Sequence, residues 1–177
     1  MDFKSINYLE TGTSIQKNAF KILTHLNIFE DFSNYNPLLV GTIPLDIQTS
    51  KSDLDIILQT NNVSELAQKI KLFFNTQTSF SLSIKDYTKH ILVCNFIYND
   101  FQIEIYSENK PTMLQMGYLH LIKEYEILQI KPDSFKQEII LLKKKGIKTE
   151  PAFAKLLNLT GNPYEVLLEY KTEKELK

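Results

Sequence analysis

Asp53 and Asp55 stand one residue apart in Ser52-Asp53-Leu54-Asp55-Ile56-Ile57-Leu58, two acids inside an otherwise apolar run. An apolar run of this length reads as a strand, and strand side chains alternate faces. Asp53 and Asp55 therefore point the same way, while Leu54 and Ile56 point into a core. Neighbouring carboxylates repel, and burying them without a partner is costly. A positive group should sit between them, and a divalent metal ion is the best candidate. Upstream, Pro37-Leu38-Leu39-Val40 reads as a buried strand that runs into a Gly41-Thr42 turn. Backbone N–H groups at such a turn, with the Thr42 hydroxyl, can form a small nest for phosphate oxygens. A third strand acid, Glu104, is centred in Phe101-Gln102-Ile103-Glu104-Ile105-Tyr106.

The elements that must position these groups follow from periodicity. Thr13-Ser14-Ile15-Gln16 has capping-box spacing, and Ala19, Ile22, Leu23 and Leu26 continue a helix from about Ser14 to Asn27. Val63, Leu66, Ala67, Ile70, Phe73 and Phe74 form a second helical stripe. Phe80, Leu82 and Ile84 alternate with Ser81, Ser83 and Lys85, as expected of a half-exposed strand at a sheet edge. His90 to Tyr98 is a further strand, and Asn99-Asp100 makes a two-residue hairpin turn into Phe101 to Tyr106. That turn fixes a register: Phe101 faces Tyr98, Ile103 faces Phe96 and Glu104 faces Asn95. Cys94 then falls on the core face as a small hydrophobe, and Glu104 on the other face.

Beyond Pro111 the pattern is helical. Helices are predicted from about Thr112 to Gln129, and from Asp133 to Lys145 with Gly146 as C-cap. A third opens at Thr149-Glu150-Pro151 with Thr149 as cap, and a fourth opens at Asn162-Pro163 and ends in a charged tail. The expected organisation is an α/β core over residues 1–110 and a helical part over 111–177 packed on it. His120 has Glu124 at i+4, which reads most simply as a solvated pair, with contact to phosphate or base as the sharper alternative. Lys143-Lys144-Lys145 sits where cations suit the helix dipole. Asp46, Asp100 and Glu108 read as structural residues in or near turns.

Composition narrows the classes. Of 177 residues, 43% are hydrophobic and 23% charged, which excludes wholesale disorder, and the net charge of −1 gives no DNA-binding signature and no basic membrane-surface patch. All twenty basic residues are lysines, so no guanidinium fork is available for phosphate. One cysteine excludes an internal disulfide and suits a reducing, cytoplasmic setting. No run reaches membrane-spanning length, and the first residues lack a signal-peptide core.

Gly41-Thr42, then Asp53-Leu54-Asp55 after a short loop, then a strand bearing Glu104, resembles the nucleotidyltransferase superfamily that includes DNA polymerase beta. The resemblance implies a mixed sheet flanked by helices, with Asp53, Asp55 and Glu104 holding two Mg²⁺ (or Mn²⁺) ions. These would bind a nucleoside triphosphate and activate an acceptor hydroxyl on a small molecule, protein or RNA. Gly41 and Thr42 would hold phosphate, and Lys51 is placed as a further phosphate contact. More narrowly, the chain is similar to an uncharacterised bacterial family of nucleotidyltransferase-like domains of unknown function. That likeness rests on Leu39 to Pro44, Ser52 to Ile56, Gln115 through His120 to Glu124, Thr149 to Ala154, and Gly161 to Tyr164. Where the superfamily pairs Gly-Ser with a following helix, this chain has Gly-Thr followed by Pro44 and an extended-looking Leu45-Asp46-Ile47. This departure and the missing arginine point to the alternative, a non-catalytic nucleotide-, metal- or partner-binding module on the same fold. A phosphate-ester hydrolase using the same acids is a third reading.

Overall fold

The computed structural model describes residues 1–171; the charged tail expected at the end of the chain lies largely outside these. The elements in chain order are α1 (Ser14–His25), α2 (Ile28–Asp31), β1 (Leu38–Val40), β2 (Leu54–Gln59), α3 (Val63–Phe74), β3 (Thr78–Asp86), β4 (Ile91–Tyr98) and β5 (Phe101–Glu108). Four helices follow: α4 (Met116–Ile130), α5 (Asp133–Lys144), α6 (Thr149–Leu156) and α7 (Pro163–Glu169). The strands form one mixed sheet in the order β1-β2-β5-β4-β3. β2 and β5 run parallel, and every other pair is antiparallel. The architecture is α/β, a mixed sheet flanked by helices, as expected.

Both sheet faces are covered, by different helices. Leu54, Ile56, Leu58, Cys94, Phe96, Ile103 and Ile105 bury one face in a core shared with α1 and α3. Leu38, Val40 and Ile57 on the other face join Leu121, Ile127, Phe135, Ile139, Phe153 and Leu167 from the C-terminal helices. Those helices cover the β1 and β2 end of that face. Further along the sheet, Glu104 and Asn95 are only half-buried. α4 is apolar on more than one side because it packs against β1, α5 and α7 together.

The β4–β5 register is the one expected, with Tyr98 opposite Phe101, Phe96 opposite Ile103 and Asn95 opposite Glu104. Asn99 and Asp100 both have positive φ (46° and 66°), the conformation a two-residue hairpin needs. β3 is an edge strand, as its alternation predicts.

Four expectations are corrected. The helix predicted over 112–129 is broken at Gln115, which is extended and buried. Its Nε2 donates to the Leu58 and Lys110 carbonyls (2.9 Å each), tying the start of α4 to the end of β2. The cap of α6 is Lys148, and Thr149 is its first helical residue. Residues 43–46 form a turn, not an extended segment, with Asp46 at φ 54°. The Gln16 side chain holds that turn, since Nε2 donates to the Ile43 and Pro44 carbonyls while Oε1 accepts from the Thr13 N–H of the capping box. Finally, Glu108 is more than a structural residue near a turn: it ends β5 just before the bend at 109–110 and lines the cleft described below.

Candidate active site

β1 ends at Val40 and hands the chain to Gly41, whose φ of 76° lies in the left-handed region that favours glycine. A Cβ built there would collide with the Asp55 carboxylate oxygen Oδ2. Glycine is therefore required twice, for the backbone turn and for the space the aspartate fills. The loop that follows folds back on itself: the Ile47 N–H donates to the Thr42 carbonyl (3.2 Å), the Thr42 hydroxyl to Ser52 Oγ (3.2 Å), and the Thr49 N–H to the same Ser52 oxygen (3.0 Å).

A row of residues crosses the sheet at this point. Val40 pairs with Asp55, Asp55 with Glu104, and Glu104 with Asn95. Asp55 and Glu104 are thus side by side on adjacent parallel strands, although 49 positions separate them in sequence. Asp53 lies just before β2, and its charge acts on both. Desolvation first, and then repulsion by Asp53 and Glu104, pushes the Asp55 carboxyl up to about 7. Glu104 is also raised, again by burial and then by Asp53. Three mutually repelling acids of this kind are the donor set that Mg²⁺ or Mn²⁺ takes, since both prefer carboxylate oxygens. Their oxygens suit the ion the resemblance implies, but among the described residues the three whose ligand atoms lie within 4.8 Å of one another are His120, Glu124 and Glu150, further along the same cleft.

Asp55 and Glu104 open onto a cleft of about 390 Å³ between the sheet and α4 and α6, and Asp53 lies outside its lining. Gly41, Thr42, Asp55, Glu104, Tyr106 and Glu108 line one side, and Lys110, Gln115, Met116, His120, Glu124 and Glu150 line the other. Lys51 is exposed in the loop before the aspartates and lies outside this lining.

His120 and Glu124 are not the solvated pair their spacing suggests. Both are buried, at 6% and 3% exposure, because α4 turns this face into the cleft. Burial lowers the His120 pKa against the pull of Glu150, while burial and then Glu150 raise Glu124 well above the usual carboxylate range. Lys143 also departs from its expected role at the helix end. Its Nζ donates to the Ile47 carbonyl (2.9 Å), fastening the 42–53 loop to α5. Desolvation lowers its pKa to about 8, even though Glu124, Asp55, Glu150 and Asp53 all pull it upward. Sequence reasoning missed Lys143 because three consecutive lysines carry no sign of which one turns inward. Glu150 was visible only as part of the Thr149-Glu150-Pro151 start signal.

Several solved structures share the fold. The fold is similar to that of a cytoplasmic RNA terminal U-transferase, with a TM-score of 0.54 and 14% identity over 74% of this chain and 38% of that one. It is similar to a chain of the GLD-2/RNP-8 complex, with a TM-score of 0.53 and 13% identity over 80% and 56% of the two chains. The polymerase core of TRAMP, an RNA surveillance complex, gives 0.52 and 14% over 92% and 50%. The chain spans less than two thirds of each of these, and at such identities the likeness is one of fold. No curated protein matches the chain. Among the described residues, no helix is long and apolar enough to cross a membrane. A family model matches residues 21–170, nearly the whole chain and all of the cleft, and on that match the chain belongs to the family described as a domain of unknown function, DUF4269.

Proposed function

We propose that the protein is a metal-dependent nucleotidyltransferase. It moves a nucleotidyl group from a nucleoside triphosphate to a hydroxyl on a small molecule, protein or RNA. The observation that carries this reading is the direct pairing of Asp55 with Glu104 across β2 and β5, beside a glycine that leaves room only for the aspartate. Asp53, Asp55 and Glu104 would hold Mg²⁺ or Mn²⁺, and ions bound there supply neutralisation of the triphosphate and of the charge that develops on it. Gly41 and Thr42 offer backbone N–H groups to phosphate. Lys51 is exposed outside the cleft, whereas Lys110 lines it and is better positioned to meet a polyphosphate.

In the reaction, the acceptor oxygen bonds to the α-phosphorus as the bond from that phosphorus to the α–β bridging oxygen breaks. Pyrophosphate leaves with the bonding pair. The hydroxyl proton passes to water, and Glu104, on the less covered part of the sheet, would help hold the ion that makes the acceptor hydroxyl more acidic. The C-terminal helices wall the cleft and select the acceptor.

The turn at residues 43–46, where a phosphate-facing helix would otherwise start, and the absence of arginine favour a second reading: a non-catalytic module that binds nucleotide, metal or a partner. Calorimetry with ATP, GTP, CTP and UTP, with and without Mg²⁺ or Mn²⁺, separates the two when joined to an assay for pyrophosphate. The enzyme is expected to bind at least one triphosphate only with metal, to release pyrophosphate, and to lose both properties in Asp53→Asn/Asp55→Asn. Binding indifferent to these substitutions would support the module, and release of free phosphate alone would support a hydrolase.

A further inference from the structure

We infer that His120, Glu124 and Glu150 form a second cation site, for a divalent transition ion of the Zn²⁺ or Co²⁺ type, on the helical wall of the cleft. One ligand atom from each lies within 4.8 Å of the others. Atoms bound to a common ion at roughly 2.0–2.2 Å lie about 3–4 Å apart, so modest side-chain movement closes the set. His120 and Glu124 are one helical turn apart on the same face of α4, and Glu150 comes from the first turn of α6. The site thus bridges two helices.

The histidine is what distinguishes this cluster from a group of acids. Its side chain is 94% buried, yet neither Nδ1 nor Nε2 has a hydrogen-bond partner. A buried imidazole normally satisfies at least one nitrogen, and leaving both without a partner is costly. Tyr164 on α7 meets the ring in a T-shaped contact, with centroids 6.2 Å apart, and gives neither nitrogen an acceptor. All three side chains line the cleft, so an ion held by them keeps its remaining positions toward the space a substrate would enter.

Lys143 is the competing source of positive charge. It is already committed to the Ile47 carbonyl, and four carboxylates (Glu124, Asp55, Glu150 and Asp53) bear on this single ammonium. Imidazole nitrogen selects this ion class over Mg²⁺, which takes oxygen ligands. The site is separate from the Asp53, Asp55 and Glu104 set and does not depend on the transfer reaction proposed above.

The test is titration of the chelator-treated full chain with Co²⁺, followed by its visible absorption, and X-ray absorption of the Zn²⁺-loaded protein. The wild type is expected to bind one Co²⁺ with an intense, low-symmetry visible spectrum, distinct from the weak absorption of any octahedral Co²⁺ held by the Asp53, Asp55 and Glu104 oxygens, and to show imidazole scattering around Zn²⁺. His120→Ala and Glu150→Gln should each weaken Co²⁺ binding by about 100-fold or more, at least the range seen when only the outer partners of metal ligands are removed. Asp53→Asn/Asp55→Asn should leave the spectrum in place. Glu150 is only half-buried, so Glu150→Gln is informative even if His120→Ala fails to fold. Equal Co²⁺ affinity in wild type and Glu150→Gln, or Zn²⁺ without imidazole scattering, would overturn the site. Loss of Co²⁺ binding only in the double aspartate variant would do the same while leaving the transfer reading intact.

Discussion

Replacing Asp55 by asparagine is expected to stabilise the metal-free protein and, at the same time, to abolish its metal-dependent chemistry. Asp55 has an ordinary pKa of 3.8 unfolded and about 7 folded. Between those values the folded chain holds a proton that the unfolded chain has released, so stability falls as pH rises through the window. Above pH 7 the full cost is present. At roughly 1.4 kcal/mol per unit, and with repulsion shared among three acids, that cost is about 2–4 kcal/mol. Asparagine has nearly the same shape and no charge. Thermal melts of the chelated protein at pH 8 should therefore show the variant higher by roughly 5–10 °C, from about 2–4 °C per kcal/mol for a chain of this size. The gap should close toward pH 4. Lys143 works in the opposite sense at higher pH: its folded pKa of about 8 lies below the ordinary 10.5, so stability tends to rise from pH 8 to 10 in both proteins. Metal-dependent triphosphate turnover in the variant should fall by at least about 100-fold, the scale on which even outer partners of metal ligands matter. A variant less stable than wild type at pH 8 would show that some cation on the chain already compensates Asp55.

The second large effect is at Gly41. Gly41→Ala places a methyl group against Asp55 Oδ2 and forces alanine to a φ of 76°. The left-handed backbone alone costs about 1–2 kcal/mol. The collision adds to that and moves the carboxylate from its place beside Glu104. The variant is expected to lose about 2–4 kcal/mol by denaturant unfolding and to lose metal-dependent triphosphate binding as completely as Asp55→Asn. A double-mutant cycle separates the two causes. In an Asp55→Ala background the collision is gone and only the backbone penalty remains, so the cost of Gly41→Ala should shrink by about half. An undiminished cost would mean that the glycine serves the turn alone.

Much of this was legible in the chain. Alternation and the Asn99-Asp100 turn are local signals, and they fix the β4–β5 register and with it the face on which Glu104 lies. The alternation in Leu54-Asp55-Ile56 likewise fixes the face on which Asp55 lies, but Asp53 sits just outside β2 and is absent from the cleft lining, so the spacing alone did not fix its direction. What was not legible depends on contacts between distant segments. The split at Gln115 exists because that side chain reaches the Leu58 carbonyl, 57 positions away. His120 and Glu124 look like a surface pair until α6 and α7 are packed against α4, and Lys143 looks like one of three equivalent lysines until the 42–53 loop offers it a carbonyl. Pro44 in an alternating stretch suggested extended chain, but a residue with positive φ (Asp46) and two carbonyls captured by Gln16 make it a turn.

The central claim is that Asp53, Asp55 and Glu104 hold a divalent ion together. Crystals grown with Mn²⁺ and a non-hydrolysable nucleoside triphosphate, with data collected at the manganese edge, address it without reference to any acceptor. Anomalous density is expected among these three carboxylates, at roughly 2.2 Å from oxygens of Asp53 and Asp55, with phosphate oxygens completing the coordination. Manganese found only at the surface, or triphosphate bound away from Gly41 and Asp55, would contradict the account.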